Sequence, residues 1–514
     1  MSLTKNALTE FDLCVAVSQV AIDSQMTSAW NTWKRRTKTD KTITLYKRIR
    51  NGQLVDSTMG LSAVIAPLQV SLAVEDSKLS QVKVTLSLTS GLVKYFDEDI
   101  EGTAEHTFKD WRISFLTDLE RNPVSLEDLK ALDPEAHATA TDIVKSSGLP
   151  EAVFSIEYLF LKLTRVDLML SDNKNIDIPA DTPSEARTKA LEMLNLLFQG
   201  KMGTYLLGTV VRRNRTQATP TFALTDFVFN TRANWDDGKA STLEYLGMLG
   251  GRSMPADPDA ARLNLKDIWV QPERINGRVA SVAGAMVLSK AIVLEKFILP
   301  ELTKAFGYEP QVTEEGWRYF VGVNRREPQE VFGGRQEHTL VTTSTLVVKP
   351  EVGTNRILLE GGVGVKVLYD GFNFVDPNNP IEWLYVEGQQ TLNGAIALTG
   401  SGIGASFQLE LALTHSFQDY EETKHEVSPL MTFYDGISTI AKIWGGQTIQ
   451  EVMTFETVAY TTAMKEKLDS ALSGLALDMQ QHAFIPPGGG VFTMKEPRFT
   501  PAHDLMLDLL YIAP

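Results

Sequence analysis

The sequence predicts an α+β fold made of two similar halves, each a long, mostly apolar helix followed by several long antiparallel strands. Three observations predict it. Apolar residues recur at helical spacing from Phe11 to Trp33 and again from Ala285 to Phe306. After each stretch the period falls to 2, the mark of strands with one dry face. The order of helix then strands occurs twice in 514 residues, which places the halves at residues 1–260 and 261–514. The halves do not align residue by residue, so the recurrence is one of architecture.

The first helix opens at Thr9-Glu10-Phe11-Asp12, a capping hydroxyl followed by acids that suit a helix N-terminus. Phe11, Val15, Ser18, Ile22, Met26, Ala29 and Trp33 repeat every three or four residues, and Leu13, Val17 and Val20 widen the stripe. A helix so apolar should be enclosed. Lys34-Arg35-Arg36 closes it. Alternation then marks strands at Val70–Val74, Val82–Leu88, Trp111–Phe115 and Phe154–Phe160. Thr182-Pro183-Ser184-Glu185 combines a capping hydroxyl, an early Pro and the reciprocal Glu of a capping box, so a helix runs from there through Leu194 to Gly200. Strands resume at Tyr205–Val211 and Phe222–Phe229, and Gly250 to Asp259 reads as a linker or long surface loop.

In the second half Leu288, Ile292, Leu299, Leu302 and Phe306 share one helical face, and Pro300 should kink the helix that carries them. Strands follow at Trp317–Val323, Thr339–Val348, Arg356–Tyr369, Ile381–Val386, Gly394–Ala397 and Ser406–Phe417. Two helices come next, one opened by Ser428-Pro429 and one over Thr448–Gln480. The chain closes with strands at Ala483–Ile485, Val491–Met494 and Leu505–Tyr511 around the turn Pro486–Gly490.

With 49 Lys+Arg against 64 Asp+Glu the net charge is −15, which argues against a nucleic-acid partner, since that affinity rests on cations displacing counterions from phosphates. The basic patches Lys34–Arg36 and Arg212–Arg215 read as solvated helix and strand ends. One cysteine, Cys14, cannot form an intrachain disulfide and sits in apolar company, as a buried structural thiol would. No apolar run reaches the ~20 residues of a membrane-spanning helix, and the first residues lack a signal-peptide pattern. The expectation is a cytoplasmic protein, or one exported without a recognisable signal.

No phosphate loop, nucleophile elbow or His-Glu-x-x-His pattern is present, so no catalytic residue, cofactor or metal site is assigned and the expectation is a non-enzyme. Gly361-Gly362-Val363-Gly364 and Gly400–Gly404 lie between strand patterns with no helix after them, and read as bulges or turns of a curved sheet. His415 and His425 flank Asp419, Glu421 and Glu422 at a spacing that matches no metal loop, and a charged hairpin tip is the plainer reading. Apolar helices inside one-face-dry sheets make either a full core or a tunnel for acyl chains. Periodicity does not separate the two. Candidate lining residues are Val15, Ile22, Met26, Trp30, Leu288, Ile292 and Phe297.

The segment Phe11–Gln19, the kinked run Ala285–Pro300, the stretch Thr242–Met248 with Met254-Pro255, and the order of elements resemble the tubular lipid-binding (TULIP) superfamily, and within it the forty-seven-kilodalton and OrfX accessory proteins of botulinum neurotoxin gene clusters. The resemblance implies long helices wrapped by highly curved antiparallel sheets in an elongated molecule. It also implies a lipid or other hydrophobic ligand between helix and sheet, and a protein partner from the same gene cluster. A chain with filled cores that works as a structural or complex-forming partner is the alternative.

Overall fold

The computed structural model describes residues 7–37, 41–51, 53–74, 81–146, 149–161, 176–199, 205–214, 222–265, 267–275, 282–314, 316–331, 334–370, 383–399, 405–410, 417–425, 462, 466–471, 476–477, 484–485 and 491–512.

Strand β1 (Leu13–Ser18) leads into helix α1 (Gln19–Thr37). A meander follows, of β2 (Thr42–Arg50), β3 (Gln53–Ile65), the short β4 (Gln69–Ser71), β5 (Gln81–Asp97) and β6 (Gly102–Val124). The helical pair α2 (Leu126–Leu132) and α3 (Pro134–Ser146) precedes β7 (Phe154–Leu161), β8 (Ile176–Asp177) and helix α4 (Ser184–Gln199). Then come β9 (Tyr205–Arg213), β10 (Leu224–Arg232), β11 (Thr242–Leu249), and short helices α5 (Pro258–Leu263) and α6 (Pro272–Ile275). β12 (Gly284–Leu288) is followed by a π-helix (Ala291–Ile298) that passes into α7 (Leu299–Phe306). A second meander runs through β13 (Gln311–Val312), β14 (Trp317–Val331), β15 (Gly334–Pro350), β16 (Arg356–Asp370) and β17 (Trp383–Thr399). The last strands are β18 (Ala405–Glu410), β19 (Phe417–His425), β20 (Ala476–Leu477), β21 (Phe484–Ile485), β22 (Val491–Phe499) and β23 (Leu505–Ile512).

These strands form three sheets. One runs β2-β3-β5-β6-β7-β9-β21 with β4 and β8 attached, and another runs β13-β14-β15-β16-β17-β18-β20 with β19 on β17. The third has the order β10-β11-β1-β12-β23-β22. β1 pairs antiparallel with both β11 and β12, and β12 with β23. The two strands that open the two helical stretches therefore lie side by side in its middle.

Residues 11–18 and 285–288 thus correct the reading of both stretches as helix from their first residue. β1 and β12 are buried along their whole lengths. Leu13, Val15, Val17, Met286 and Leu288 belong to the main apolar core, while Cys14, Ala16, Ala285 and Val287 join a second cluster on the other face. A strand covered on both faces shows no alternation, and when a helix follows directly its apolar run merges with the helical pattern. α1 is also less enclosed than expected. Ala21, Ile22 and Gln25 are buried, whereas Asp23, Ser24, Thr27, Asn31, Lys34 and Arg35 are exposed.

The predicted kink at Pro300 takes the form of a π-to-α transition. The Leu299 N–H donates to the Leu294 carbonyl at the end of the π turns, and Pro300 falls in the first turn of α7, where a missing N–H costs little. Gly307 ends α7 in the left-handed conformation, φ +77°. α4 forms where the capping signals place it and buries Ala186, Ala190, Met193 and Leu194.

Of the two readings of Gly250–Asp259, the surface loop is the one that forms, and it runs into α5. It turns at Gly250 and Gly251, both at positive φ, and α5 is capped by the Asp257 carboxylate, which accepts from the Ala260 N–H at 3.0 Å. Ala261, Leu265, Trp269 and Ile275 then cover the second face of the six-stranded sheet; residue 260 lies inside α5. Gly361 and Gly362 sit in β16, whose pairing with β15 and β17 keeps register throughout, so they make neither bulge nor turn. A Cβ at Gly361 would lie 2.3 Å from the Thr345 carbonyl oxygen, so close backbone approach explains that glycine. Gly400–Gly404, the helix expected at Ser428-Pro429, most of Thr448–Gln480 and the turn Pro486–Gly490 lie outside the described residues. Within Thr448–Gln480, residues 466–471 are helical and Ala476-Leu477 pairs as strand.

Candidate functional site

The nominated lining residues all lie in or against the main apolar core, part of which is the seam between α1 and the sheets. Val15, Ile22, Leu288 and Ile292 are buried in the main core, and Met26, Trp30 and Phe297 pack partly buried against it. They do not share one wall. Val15 and Leu288 are strand residues on neighbouring strands, Ile22, Met26 and Trp30 lie on α1, and Ile292 and Phe297 lie on the π-helix. Phe297 meets Phe222 edge-on at 4.7 Å.

A small cavity opens in this seam, with room for about one water at about 10 Å³. Of the seven nominated residues Ile22 borders it, together with Gln25, Gly208, Thr209, Tyr245 and Phe484. Gln25 is buried and its Nε2 has no hydrogen-bond partner. Tyr245 packs against Phe484 at 4.8 Å, and burial pushes its phenol above the ordinary range. Gly208 makes space for that hydroxyl, since a Cβ there would come within 3.0 Å of it.

The opposite face of the six-stranded sheet is electrostatic. Its register sets Glu244, Ala16, Ala285 and Asp508 in one row across four strands. Glu244 is fully buried and accepts from Arg232 Nε at 2.8 Å, Asn230 Nδ2 at 2.9 Å and Thr242 Oγ1 at 3.3 Å. Asp508 accepts from Arg498 at 2.9 Å and from Arg274. Each acid is thus neutralised by an arginine of the adjoining outer strand, Arg232 on β10 and Arg498 on β22. A buried carboxylate would otherwise cost several kcal/mol.

Two further carboxylates cap the end of this sheet. Asp12 accepts from the Leu249 N–H at 3.0 Å and pairs with Arg252, yet burial outweighs both and raises its pKa to about 6. Asp504 accepts from the Lys290 N–H at 2.8 Å and is likewise raised to about 6, chiefly by burial. An acid with a folded pKa above its unfolded value favours the folded state as it takes up its proton. Its contribution is fully present below about pH 4 and is lost as pH rises through 6. Asp12→Asn removes that dependence, so the stability of the variant relative to the parent should rise between pH 4 and pH 7 by on the order of 2–3 kcal/mol. Urea titrations at the two pH values measure it, and a constant difference would refute it.

Cys14 is fully buried, and burial and Glu244 push its thiol well up, which disfavours the thiolate. Arg212 is not a solvated strand end, because it donates to Glu157 at 2.6 Å. No group of three or more His, Cys, Asp or Glu that could hold a metal ion occurs among the described residues. His425 ends β19, while His415 lies outside the described residues. No described helix is long and apolar enough to cross a membrane. Sequence reasoning missed Gln25, Tyr245, Glu244 and Asp508. An acid inside an otherwise apolar strand, as in Leu243-Glu244-Tyr245-Leu246, was the available signal.

Residues 12–120, less than half of the chain, match the family model described as DNA-PKcs, CC5. No curated protein matches the chain. Among solved structures, P47 of Clostridium botulinum E1 aligns over 98% of this chain and 100% of its own, at 10% identity and a TM-score of 0.46. A lipopolysaccharide binding protein aligns over 98% of this chain and 99% of its own, at 9% identity and a TM-score of 0.28.

Proposed function

We propose that this chain is a non-enzymatic binding protein of the tubular lipid-binding kind, which holds an apolar ligand between helix and sheet. In this reading it consists of two similar halves that meet at the six-stranded sheet, and it serves as an accessory protein in a toxin-like gene cluster. The observation that carries the reading is the seam itself. The helices that follow β1 and β12 turn apolar faces onto long antiparallel sheets, and beside α1 the packing leaves a gap edged by an unpartnered amide. An acyl chain gains about 0.8 kcal/mol per methylene buried there. The gap as it stands holds about one water, so entry requires α1 to shift from the sheet.

The purified full chain, incubated with a fluorescent fatty acid and examined by native mass spectrometry, should retain one or more acyl chains. Gln25→Leu, which removes the unpartnered amide, should tighten retention about threefold, as expected when a polar group leaves an apolar site. A chain that neither retains nor accepts the probe defeats the reading.

The water-sized gap favours a second reading, a complex-forming partner with filled cores and no cargo. A stable complex with a neighbouring gene product, formed by a chain that takes up no probe, is its signature.

A further inference from the structure

The helical pair α2–α3 is inserted between β6 and β7 and covers part of the sheet face turned away from the main core. Leu129, Ala136, Ala140 and Val144 pack there on Phe154, Ile156, Val211 and Ile485. β6 and β7 pair so that Val124 lies opposite Ile156 and Asn122 opposite Tyr158, which carries the same face beyond the helices. Beside the helices lies an open groove of about 750 Å³ lined by Val124, Leu126, Leu132 and Tyr158 together with the buried Phe154 and Ile156.

Leu132, on the last turn of α2, is 42% exposed at its edge. Among the described residues, the charged groups that line the groove are Asp128 on α2 and Glu151 on the short turn before β7, with no Lys or Arg. One oxygen of Asp128 accepts from Ser125 Oγ at 2.7 Å. Arg213 lies 5.7 Å from the centre of the Phe154 ring but is not part of the lining. An apolar floor with acids on two walls complements a helix that is apolar on one face and basic on its flanks. The net charge of −15 adds long-range attraction for such a partner.

We infer that this groove docks a basic amphipathic segment of a partner protein, its apolar side chains set on Leu132 and Tyr158 and its cations beside Asp128 and Glu151. The inference supplies a surface for the complex-forming reading and does not depend on cargo in the seam.

The test uses the full chain and two labelled helical peptides, one patterned from Leu and Lys and one from Leu and Glu, followed by fluorescence anisotropy. The Lys peptide should bind, and the Glu peptide should not. Leu132→Asp should weaken binding by about tenfold, equivalent to losing one well-placed apolar contact. Asp128→Asn with Glu151→Gln should weaken it severalfold and flatten its salt dependence. Leu263→Asp, at an exposed leucine outside the groove, should change nothing.

Equal binding of both peptides, or Lys-peptide binding indifferent to the groove substitutions, overturns the inference. So does a Leu132-dependent dimer seen by light scattering, which would make a second copy the occupant, or failure of the Lys peptide to bind. Unchanged thermal melts show that the variants fold. Uptake of the fatty-acid probe should be indifferent to Leu132→Asp, so failure here and failure of the seam reading are separable.

Discussion

Glu244→Leu should lower the free energy of unfolding by about 3–5 kcal/mol, the cost of leaving a buried charge without its partner. Glu244 is the hub of its corner of the sheet, taking hydrogen bonds from Arg232, Asn230 and Thr242. Leucine keeps the volume and removes the charge, so Arg232 remains against the Leu265 carbonyl, 3.0 Å away, with no anion. Guanidinium titration of the single variant reads the loss. The double variant Glu244→Leu with Arg232→Met should recover most of it, because an apolar pair of similar shape replaces an ion pair at little cost. A single variant within 1 kcal/mol of the parent would show that water reaches this corner and that the acid is not buried as described.

Gly284→Ala should be at least as damaging. The glycine begins β12 opposite Val17, and a Cβ there would lie 2.1 Å from the Ala16 carbonyl oxygen and 3.2 Å from the Val17 Cα. Those are backbone atoms of a strand held on both sides, so they cannot turn aside as a side chain would. The register between β1 and β12 must open, and the expected loss exceeds about 4 kcal/mol, the range reserved for specific structural lesions. Gly238→Ala is the control, since a Cβ there meets nothing within 4 Å. Thermal melts of the two variants settle the matter. Equal midpoints would mean that the strands are not in this contact.

β5, the Trp111–Phe115 part of β6, and α4 were legible in the sequence because each is covered on one side, and a one-sided environment writes its period into the chain, whereas β2, β3 and β11 went unread. Lys83 and Thr85 sit between the buried Val82, Val84 and Leu86, and the capping box at Thr182–Glu185 marks the start of α4. β1 and β12 were not legible as strands. Covered on both faces, they carry an unbroken apolar run that is continuous with the helix behind it. α2 and α3 went unread although Ser125 caps the first by accepting from the Asp128 N–H at 3.0 Å, because α2 spans only seven residues and α3 buries the small Ala136 and Ala140 with Val144, a faint apolar stripe. The seam was approached through residues of the right character, but its cavity depends on Gln25 and Tyr245. A polar group buried by tertiary packing has no local signature, and neither residue stands out in a linear pattern.

The six-stranded sheet also fixes an order of events during synthesis. β1 emerges from the ribosome long before its two neighbours at residues 242–249 and 284–288, and the sheet is completed by a strand at 505–512. Until those residues appear, one of the most apolar stretches of the chain has bare edges on both sides, the condition that invites pairing with another chain. Contacts so distant in sequence form slowly. The nascent protein therefore depends on whatever shields β1 during translation, and a ribosome stalled short of residue 288 would release a chain prone to aggregate.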